Sequence, residues 1–490
     1  MIPDTQNNTT LSATVTTFTT TDSHTSFQAE SRQPLCGLNE SLFSELNMHS
    51  DLYKNRESLE HVLAIRNSNE KSCSSSDNHV GGSKFVNFYE QKAVSPYTPA
   101  FGKGPWIVTD EGGIIYDAGG YGMLGFGHND DDILRALSKE QVMANILTPS
   151  KSQITFSQEI NKHASLYEGV LALNSGSETN ELAFRIADAY FKSNHSDKKP
   201  VIVILSGSFH GRTYLSGQAS DSCREKYEKY LSTYSRFMDI YKLKINNITS
   251  VKDAFNTMKQ SGQVPLLTLM EPVMGEGNPG VMITPEFYKA VRDETRALNS
   301  LLHIDSVQAG IRTTGELSFT TYSGFNIDRE NMPDMEVFSK AINGGQYPLS
   351  ILAVKNRDMY KYGIYGNTMT ANPRGLDVGT CVLRKLTPEL KANIVAKGQQ
   401  LKSRLMNLMS EFPTIINGVT GTGLLVAVHL NEKFNVFDLE KRMRLRGVNL
   451  IHGGKNGLRL TPWFNIDDNE IELIYTVMRS VFDEVHRETV

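Results

Sequence analysis

The sequence predicts an α/β fold in which a mostly parallel sheet is flanked by helices, together with a smaller α+β domain. The first observation is that short apolar runs alternate with amphipathic helices between residues 169 and 339. Such alternation is typical of βαβ units, whose parallel strands are buried on both faces. The second observation is composition, because 490 residues with 39% hydrophobic and 21% charged residues are able to form a large buried core.

Five apolar runs have the length and the β-branched or leucine-rich composition of buried strands. They lie at residues 169–175, 201–206, 266–271, 301–305 and 336–339. Residues 178–192 form a predicted helix between them, because Ile186 and Tyr190 fall on one apolar face. Residues 285–298 form another, with Pro285 in the first turn, where proline is well tolerated. In a sheet of this kind, ligands bind at the carboxyl ends of the strands.

The chain after residue 387 has a different pattern. A long polar helix follows Pro388, and then come an apolar run at 421–430, a helix near 436–446 and a last helix from Asp467. This order of elements predicts a smaller α+β domain. The predicted division is a large domain at 151–387 and a small domain formed by 84–150 and 388–490.

The first 83 residues are predicted to form an extension. It begins with a threonine-rich arm that lacks Lys and Arg, continues with a helical segment at about 39–69 and ends in a Ser- and Gly-rich linker at 72–83. A secretory signal needs a positive start and a mitochondrial presequence needs arginines, so neither is expected.

Charge and cysteine usage narrow the classes of function. Fifty basic and fifty-four acidic residues give a net charge of -4, whereas nucleic acids and anionic membranes are bound through basic surfaces. Neither is therefore an expected partner, and no apolar run approaches the roughly 18 residues of a membrane span. The four cysteines have no C-x-x-C pair, so neither a disulfide framework nor a metal site is expected, and a cytoplasmic location fits best.

Small and hydroxyl residues end the first predicted strand and open a helix. Ser175, Gly176 and Ser177 would present free backbone N–H groups at the positive end of the helix dipole, an arrangement that binds phosphate. The alternative is an ordinary helix cap, since Ser175 and Glu178 have the spacing of a capping box. From these residues alone, both interpretations remain open.

Two later strands end in opposite charges, Asp305 after one run and Lys340 after another. The alternative interpretation is that both strands end at the surface, where the two groups are solvated. If they are buried, they need partners, because an unpaired buried charge is strongly unfavourable. A desolvated lysine is a nucleophilic amine able to form a Schiff base, and an acid opposite it can hold a protonated pyridine nitrogen.

One motif is interpreted as a loop. Residues 120–125 (GYGMLG) match the G-x-G-x-x-G pattern of dinucleotide-binding proteins after a strand-like run at 114–117. The next helix starts only near Asp130, whereas a dinucleotide site needs the helix to begin at the glycines.

Taken together, these residues resemble the class III (ornithine/4-aminobutyrate type) aminotransferases, which are pyridoxal-phosphate enzymes of fold type I. The resemblance covers the chain from about residue 105 to the C terminus. Its segments are 174–178 (NSGSE), 209–213 (FHGRT), 271–277 (EPVMGEG), 305–308 (DSVQ), 339–340 (SK), 368–373 (TMTANP) and 457–462 (GLRLTP). Ser306 stands where the family has Glu, and residues 309–315 are looser than the family's T-G-x-G-R segment.

The resemblance implies a set of cofactor-binding residues. Asp305 is expected to pair with the pyridine nitrogen, and Lys340 is expected to form the internal aldimine, which makes these two the catalytic residues. Gly176 and Ser177 are expected to bind the phosphate, Phe209 to stack on the ring, and Gln308 to contact the phenolic oxygen. Thr368 is expected to reach the phosphate of a neighbouring subunit. The full set of cofactor-binding residues is Gly176, Ser177, Phe209, His210 of segment 209–213, Glu271 of segment 271–277, Asp305, Gln308, Lys340 and Thr368. A homodimer with shared active sites is therefore expected.

The resemblance also implies two substrate-binding residues. Arg459 is expected to bind a substrate carboxylate, because its planar fork makes two parallel hydrogen bonds. In family members that act on terminal amines, a glutamate at the place of Glu276 pairs with this arginine and releases it for 2-oxoglutarate. The alternative is that Glu276 is a solvated loop acid.

The implied reaction is transfer of an amino group from an ω-amino donor, such as ornithine, acetylornithine, 4-aminobutyrate, lysine or a diamine, to a keto acid such as 2-oxoglutarate. The motifs leave open an aminomutase, racemase or decarboxylase with the same cofactor. A non-catalytic binding protein on the same fold is disfavoured, because it would have no need to keep Lys340, Asp305 and Gln308 together.

Overall fold

The strands of the protein alternate with helices as the apolar runs predict. The computed structural model describes residues 37, 86, 93–143, 147–234 and 238–489. In chain order the strands are β1 (Pro99–Lys103), β2 (Trp106–Thr109), β3 (Ile114–Asp117), β4 (Gly169–Leu173), β5 (Lys199–Leu205), β6 (Asp239–Leu243), β7 (Gln263–Met270), β8 (Leu302–Asp305), β9 (Met335–Phe338), β10 (Ser350–Val354), β11 (Ile416–Thr422), β12 (Leu425–Leu430), β13 (Val448–Asn449), β14 (Ile451–Gly453) and β15 (Gly457–Leu460).

The helices lie between and after these strands. In chain order they are α1 (Asp131–Leu137), α2 (Lys151–Ile160), α3 (Gly176–Asn194), α4 (Tyr214–Gln218), α5 (Arg224–Tyr230), α6 (Ile248–Gln260), α7 (Pro285–Ala297), α8 (Pro373–Arg384), α9 (Pro388–Glu411), α10 (Val436–Leu445) and α11 (Asp468–Thr489). Within the described part of the chain, none of these is long and apolar enough to cross a membrane.

The central sheet has seven strands in the order β4-β10-β9-β8-β7-β5-β6. The five strands from β9 to β6 are parallel, whereas β10 is antiparallel to both of its neighbours. The predicted mostly parallel sheet flanked by helices is therefore confirmed. The five predicted strands correspond to β4, β5, β7, β8 and β9, whereas β6 and β10 were not predicted.

Two four-stranded sheets accompany the central sheet in the described part of the chain, in the orders β1-β2-β3-β13 and β11-β12-β15-β14. In the first, β13 from the C-terminal part of the chain pairs in parallel with β3. The boundaries of the large and small domains stay a prediction. Apart from Gly37, the predicted extension at 1–83, with its arm, helical segment and linker, lies outside the described residues.

Helix α3 illustrates how the sequence positions the site. Its buried side chains Leu182, Ile186 and Ala187 form one face, and Ser175 caps its N terminus by accepting the Glu178 N–H at 3.3 Å. The predicted capping box is only half formed, because the Glu178 carboxylate accepts the Asn174 N–H at 3.0 Å instead of returning to Ser175. The glycine-rich run at 120–125 is a loop before α1, as expected.

Candidate active site

The predicted site residues meet in one cavity of about 970 Å³ at the carboxyl ends of the parallel strands. Of the predicted residues, the cavity is lined by Gly176, Ser177, Phe209, His210, Glu271, Glu276, Asp305, Gln308, Lys340 and Arg459. These residues come from α3, from the loops after β5 and β7, from β8 and the loop after it, from the turn after β9, and from β15. The fold therefore assembles residues that are far apart in sequence, and Thr368 is the one predicted residue that lies elsewhere.

The start of α3 lines the cavity, and the first backbone N–H groups of a helix have no partner within the helix. Gly176 and Ser177 are the first two helical residues, and the Ser177 hydroxyl accepts the Arg212 N–H at 3.2 Å. Gly211, with φ at +130°, lets the loop after β5 approach this helix end, since a Cβ there would lie 2.7 Å from Ser177 Cα. The result is a concave helix terminus suited to an anion.

Asp305 ends β8 and is 2% exposed, so the interpretation of a solvated strand end is wrong for this residue. Its Oδ2 accepts hydrogen bonds from Asn180 Nδ2 and lies 2.8 Å from His210 Nδ1, and its Oδ1 accepts the Val307 N–H at 3.0 Å. Burial opposes the ionised form, but the hydrogen bond and the charge of His210 outweigh it, and the pKa of Asp305 lies below its usual value.

Lys340 begins a short turn immediately after β9 and has a φ of +50°, an uncommon conformation for a residue with a Cβ. Its Nζ donates to Gln308 Oε1 at 2.5 Å. Burial lowers the pKa of Lys340 to about 8, and the positive charge of Arg459 adds to that effect. The amine is therefore far closer to its neutral, nucleophilic form at physiological pH than an ordinary lysine.

Gln308 lies between Lys340 and the glycine-rich loop. A Cβ on Gly122 would be 2.4 Å from Gln308 Nε2, so a glycine at that position leaves room for the amide. Gln308 is 4% exposed, and its Nε2 has no hydrogen-bond partner among the described residues. A buried amide donor without a partner is costly, which indicates that a ligand atom completes this position.

Arg459 on β15 and Glu276 form an ion pair in the cavity wall. Arg459 Nη1 lies 2.7 Å from Glu276 Oε2 and also donates to the Gly275 backbone oxygen. The Arg459 side chain is 4% exposed, whereas that of Glu276 is 34% exposed. Glu276 is thus a paired residue at the edge of the cavity and not a free loop acid.

Glu271 holds two of the cavity loops. Its Oε1 accepts the Phe209 N–H at 3.1 Å, and its Oε2 accepts the Gly275 N–H at 2.7 Å. Burial raises the pKa of Glu271 to about 7. The carboxylate thereby fixes both the backbone of Phe209 and the loop whose Gly275 carbonyl holds Arg459.

Thr368 lies apart from the other predicted residues, in a small surface depression with Thr148, Gln153 and Met369. It does not line the large cavity of its own chain. The prediction that Thr368 contacts the phosphate of a neighbouring subunit stays a prediction, because a single chain does not test it.

The residues of the cavity fit pyridoxal phosphate, the cofactor that the resemblance implies. The start of α3 suits a phosphate, and the buried Asp305 carboxylate has capacity for one more donor on Oδ1. Gln308 Nε2 and His210 Nε2 are buried polar atoms without partners among the described residues. A ligand with an anionic end, a ring N–H and a ring oxygen matches these groups, and Lys340 offers the amine that an aldehyde needs.

Sequence reasoning missed several residues that shape the site. Asn180 and His303 are fully buried and hydrogen-bond each other, and Arg312 is 0% exposed and donates to the backbone oxygens of Gly122, Leu424 and Pro462. The sequence offered a signal for Asn180, which lies four residues after Gly176 on the same helix face. Arg312 lies in the loosely matched segment at 309–315, but its partners could not be predicted because they are far away in the chain.

The sequence profile of the aminotransferase class-III family matches residues 89–482. The acetylornithine aminotransferase of Prochlorococcus marinus is 28% identical over 396 residues, which cover 78% of this chain and 91% of that protein. That of Haemophilus ducreyi is 30% identical over 376 residues, covering 75% and 88%. Ornithine aminotransferase 1 of Staphylococcus saprophyticus is 29% identical over 417 residues, covering 81% and 98%.

Solved structures show the same fold. The ornithine aminotransferase of Toxoplasma gondii superimposes with a TM-score of 0.70 at 21% identity, covering 82% of this chain and 94% of that one. The N-acetylornithine aminotransferase of Stenotrophomonas maltophilia gives a TM-score of 0.63 at 23% identity, covering 82% and 98%.

Proposed function

The chain belongs to the class III aminotransferases, which use pyridoxal phosphate, and we propose that it moves an amino group from an ω-amino donor to 2-oxoglutarate. Donors of this class are ornithine, acetylornithine, 4-aminobutyrate, lysine and diamines. The observation that carries the proposal is the 2.7 Å pair between Arg459 and Glu276. A guanidinium neutralised in this way attracts an α-carboxylate weakly, whereas a donor that reacts at its terminal amine places no carboxylate there.

The similar proteins support the same class of donor. The relatives in Prochlorococcus marinus and Haemophilus ducreyi are acetylornithine aminotransferases, and the one in Staphylococcus saprophyticus is an ornithine aminotransferase. Both names refer to compounds that carry a terminal amine. The donor of this enzyme is therefore proposed from the class that the two names share.

Each cavity residue has a proposed part in holding the cofactor. Gly176 and Ser177 bind the phosphate through backbone N–H groups and the helix dipole, and Phe209 stacks on the ring. Asp305 accepts the ring N–H, supported by His210, and Gln308 donates to the ring oxygen. Glu271 keeps the loops that carry Phe209 and Arg459 in place. When bound, the cofactor supplies an electron sink for the charge that develops on the donor carbon.

Lys340 is the proposed attachment point and proton carrier. Its Nζ takes the proton from the donor carbon that bears the amino group and later returns a proton, so it must alternate between the amine and the ammonium form. A pKa of about 8 suits this task, because neither form is strongly disfavoured near neutral pH. Asp305 meanwhile stays ionised and keeps the ring nitrogen protonated.

Glu276 is the proposed switch between the two half-reactions. With an ω-amine in the cavity, Glu276 stays paired and masks Arg459. With 2-oxoglutarate, the half-exposed Glu276 side chain moves away, and Arg459 makes a bidentate pair with the α-carboxylate. One arginine then serves only the substrate that needs it.

A homodimer is proposed as the working unit. Thr368 lies outside the cavity of its own chain, beside Val142 and Met369, which are 75% and 46% exposed. Leu147, five residues after Val142 in the sequence, is 92% exposed. Exposed apolar side chains are typical of a subunit interface. Val142 and Met369 line the same depression as Thr368, the residue proposed to bind the cofactor phosphate of the partner subunit. Sedimentation at assay concentrations should give a dimer, and an active monomer would contradict this.

A cytoplasmic location is part of the proposal, because the four cysteines have no disulfide pattern and a reducing compartment is where such chains are found.

A donor screen tests the proposed function. The holoenzyme is incubated with 2-oxoglutarate and one candidate amine at a time, and glutamate and the carbonyl product are both measured. We expect ω-amines to give equal amounts of the two products, and ordinary α-amino acids to be poor donors. Release of carbon dioxide, or conversion of the donor without glutamate, would instead indicate decarboxylase, racemase or aminomutase chemistry.

A further inference from the structure

A buried asparagine hydrogen-bonds the Asp305 carboxylate. Asn180 is 1% exposed and lies on α3, about one turn after Gly176. Its Nδ2 donates to Asp305 Oδ2 at 2.8 Å and to the His210 backbone oxygen at 2.7 Å. Its Oδ1 accepts a hydrogen bond from His303 Nε2 at 2.8 Å. One side chain thus connects α3, β8 and the loop after β5.

The orientation of this amide is forced by its partners. The ionised Asp305 carboxylate and the His210 carbonyl accept hydrogen bonds and cannot donate, so the NH₂ group of Asn180 must face both. The Asn180 oxygen must then accept from His303, which therefore carries its proton on Nε2. Burial lowers the pKa of His303 to about 4, so the ring is neutral at physiological pH and holds a single proton. No other arrangement satisfies the three groups.

The same contacts restrict the rotation of Asp305. Asn180 and His210 Nδ1 both reach Oδ2, and the Val307 N–H reaches Oδ1, so the plane of the carboxylate is fixed from three directions. The helix that carries Asn180 is also the one whose first turn contains Gly176 and Ser177.

We propose that Asn180 is a positioning residue that orients Asp305 toward the cofactor's ring nitrogen and ties it to the helix end that binds the phosphate. The two ends of the cofactor are then held at a fixed separation by one side chain. This inference rests on the proposed function, because it assumes the role assigned to Asp305. Asn180 itself touches no reacting atom in the proposal and acts through Asp305.

The test measures cofactor binding and not turnover. Apoenzyme is titrated with pyridoxal 5′-phosphate, and the visible absorption and circular dichroism of the bound cofactor are recorded. Asn180→Ala removes the NH₂ donor to Asp305. Asn180→Asp keeps the side-chain volume and the acceptor for His303, but it places a carboxylate oxygen against two acceptors, Asp305 Oδ2 and the His210 backbone oxygen. We expect each to weaken cofactor affinity by about tenfold or more, since a hydrogen bond to a charged group is lost, and to change the visible dichroism.

A double-mutant cycle separates positioning from a general loss of structure. If Asn180 acts through Asp305, Asn180→Ala should change affinity less than about twofold in the Asp305→Ala background, because the interaction it supports is already gone. Equal losses in both backgrounds would overturn the proposal. Should Asn180→Asp fail to fold, Asn180→Ala carries the cycle alone.

Thr179→Val is the matched control. Thr179 is equally buried at the position of α3 just before Asn180, and its hydroxyl donates to the Ser175 backbone oxygen and not to Asp305. It should leave affinity and dichroism unchanged within about twofold. If it weakens binding as much as Asn180→Ala does, the effect belongs to the helix and the proposal is wrong.

Failure of the proposed function gives a different result. If Asp305→Ala binds the cofactor with wild-type affinity and an unaltered spectrum, the assigned role of Asp305 is wrong, and this inference falls with it. If Asp305→Ala alters both readouts and the Asn180 variants alter neither, only the inference about Asn180 is overturned.

Discussion

The two ends of the cavity contain carboxylates with very different surroundings. Asp305 is 3% exposed at the side chain and is held by Asn180, His210 and the Val307 N–H. Glu276 is 34% exposed, and its carboxylate pairs with Arg459. A buried charge that loses a partner costs about 3–5 kcal/mol, which applies to Asp305 in full, whereas water can solvate the partly exposed Glu276 carboxylate when its pair with Arg459 opens. The first carboxylate is therefore held in place, and the second is the one for which we propose an exchange of partners.

This difference matches the proposed roles of the two ends. The ring nitrogen of a cofactor needs the same charge beside it in both half-reactions, so the site benefits from a carboxylate that cannot rotate. In the proposed reaction the substrate end meets two chemically different molecules, and a pair that opens would serve both. Lys340 lies between the two ends and is affected by both, since Arg459 lowers its pKa while Glu276 and Asp305 raise it.

The largest expected effect is at Lys340. Lys340→Ala should abolish the visible band of the bound cofactor and slow transamination by about 10²–10⁴-fold or more, because the proton carrier is lost. Borohydride reduction of the wild-type holoenzyme followed by peptide mapping should place the label on Lys340. Lys355→Ala is the control, since Lys355 follows β10 and lies outside the cavity lining. A label on another lysine would show the assignment to be wrong.

The next effect is at the fixed end. Asp305→Asn should leave a folded protein that binds cofactor but turns over about 10²-fold more slowly, because the charge that stabilises the protonated ring is removed. The matched control is Asp334→Asn, which changes a carboxyl group next to the opposite end of the neighbouring strand β9. Near-normal turnover in Asp305→Asn would refute the role of this residue.

The contrast between the two ends also shows what the sequence was able to predict. Asp305 and Lys340 could be located because parallel strands bring their carboxyl ends to one edge, and the five buried runs that precede such residues are strongly apolar. Strand β6 was missed because Asp239 and Lys242 interrupt its apolar pattern at the edge of the sheet. Strand β10 was missed although its five residues are buried and all but Ser350 are apolar, and although the shorter strands β8 and β9 were predicted.

Side-chain contacts across the chain were beyond the reach of sequence patterns. Asn180 and His303 are 123 positions apart, and only the fold brings them together under Asp305. The left-handed backbone of Lys340 has no sequence signal either, because such a conformation is imposed by its surroundings and not by local preference. The missing half of the capping box at Ser175 likewise depends on where Glu178 finds a closer donor.

A smaller effect is expected at the exchangeable end. Arg459→Ala should slow the half-reaction with 2-oxoglutarate by well over tenfold, since losing a desolvated charge partner costs about 2–5 kcal/mol. The half-reaction with an ω-amine should change little. Glu276→Gln leaves the arginine unmasked, so glutamate should become a better donor relative to ω-amines. Single-turnover measurements of each half-reaction separate these effects.

Lys455→Ala is the control for this pair, because Lys455 also lines the cavity but is 85% exposed at the side chain and pairs with an exposed glutamate. It should change neither half-reaction appreciably. If Arg459→Ala and Glu276→Gln slow both half-reactions equally, the switch does not exist and the proposal of an ω-amine donor loses its main support.

The smallest expected effect connects the two ends through the pKa of Lys340. In the apoenzyme, Lys340 should become reactive toward acetic anhydride with a midpoint at about pH 8, because burial disfavours the ammonium form and only the neutral amine reacts. Removing the positive charge in Arg459→Ala should raise this midpoint, and removing the negative charge in Glu276→Gln should lower it. Both shifts should stay below about one pH unit, since burial is the larger cause and is unchanged.

Pulse labelling across a pH series, followed by mass spectrometry of the Lys340 peptide, measures the midpoint. A midpoint near that of an exposed lysine, or shifts of the same sign in the two variants, would show that the substrate end does not act on the amine.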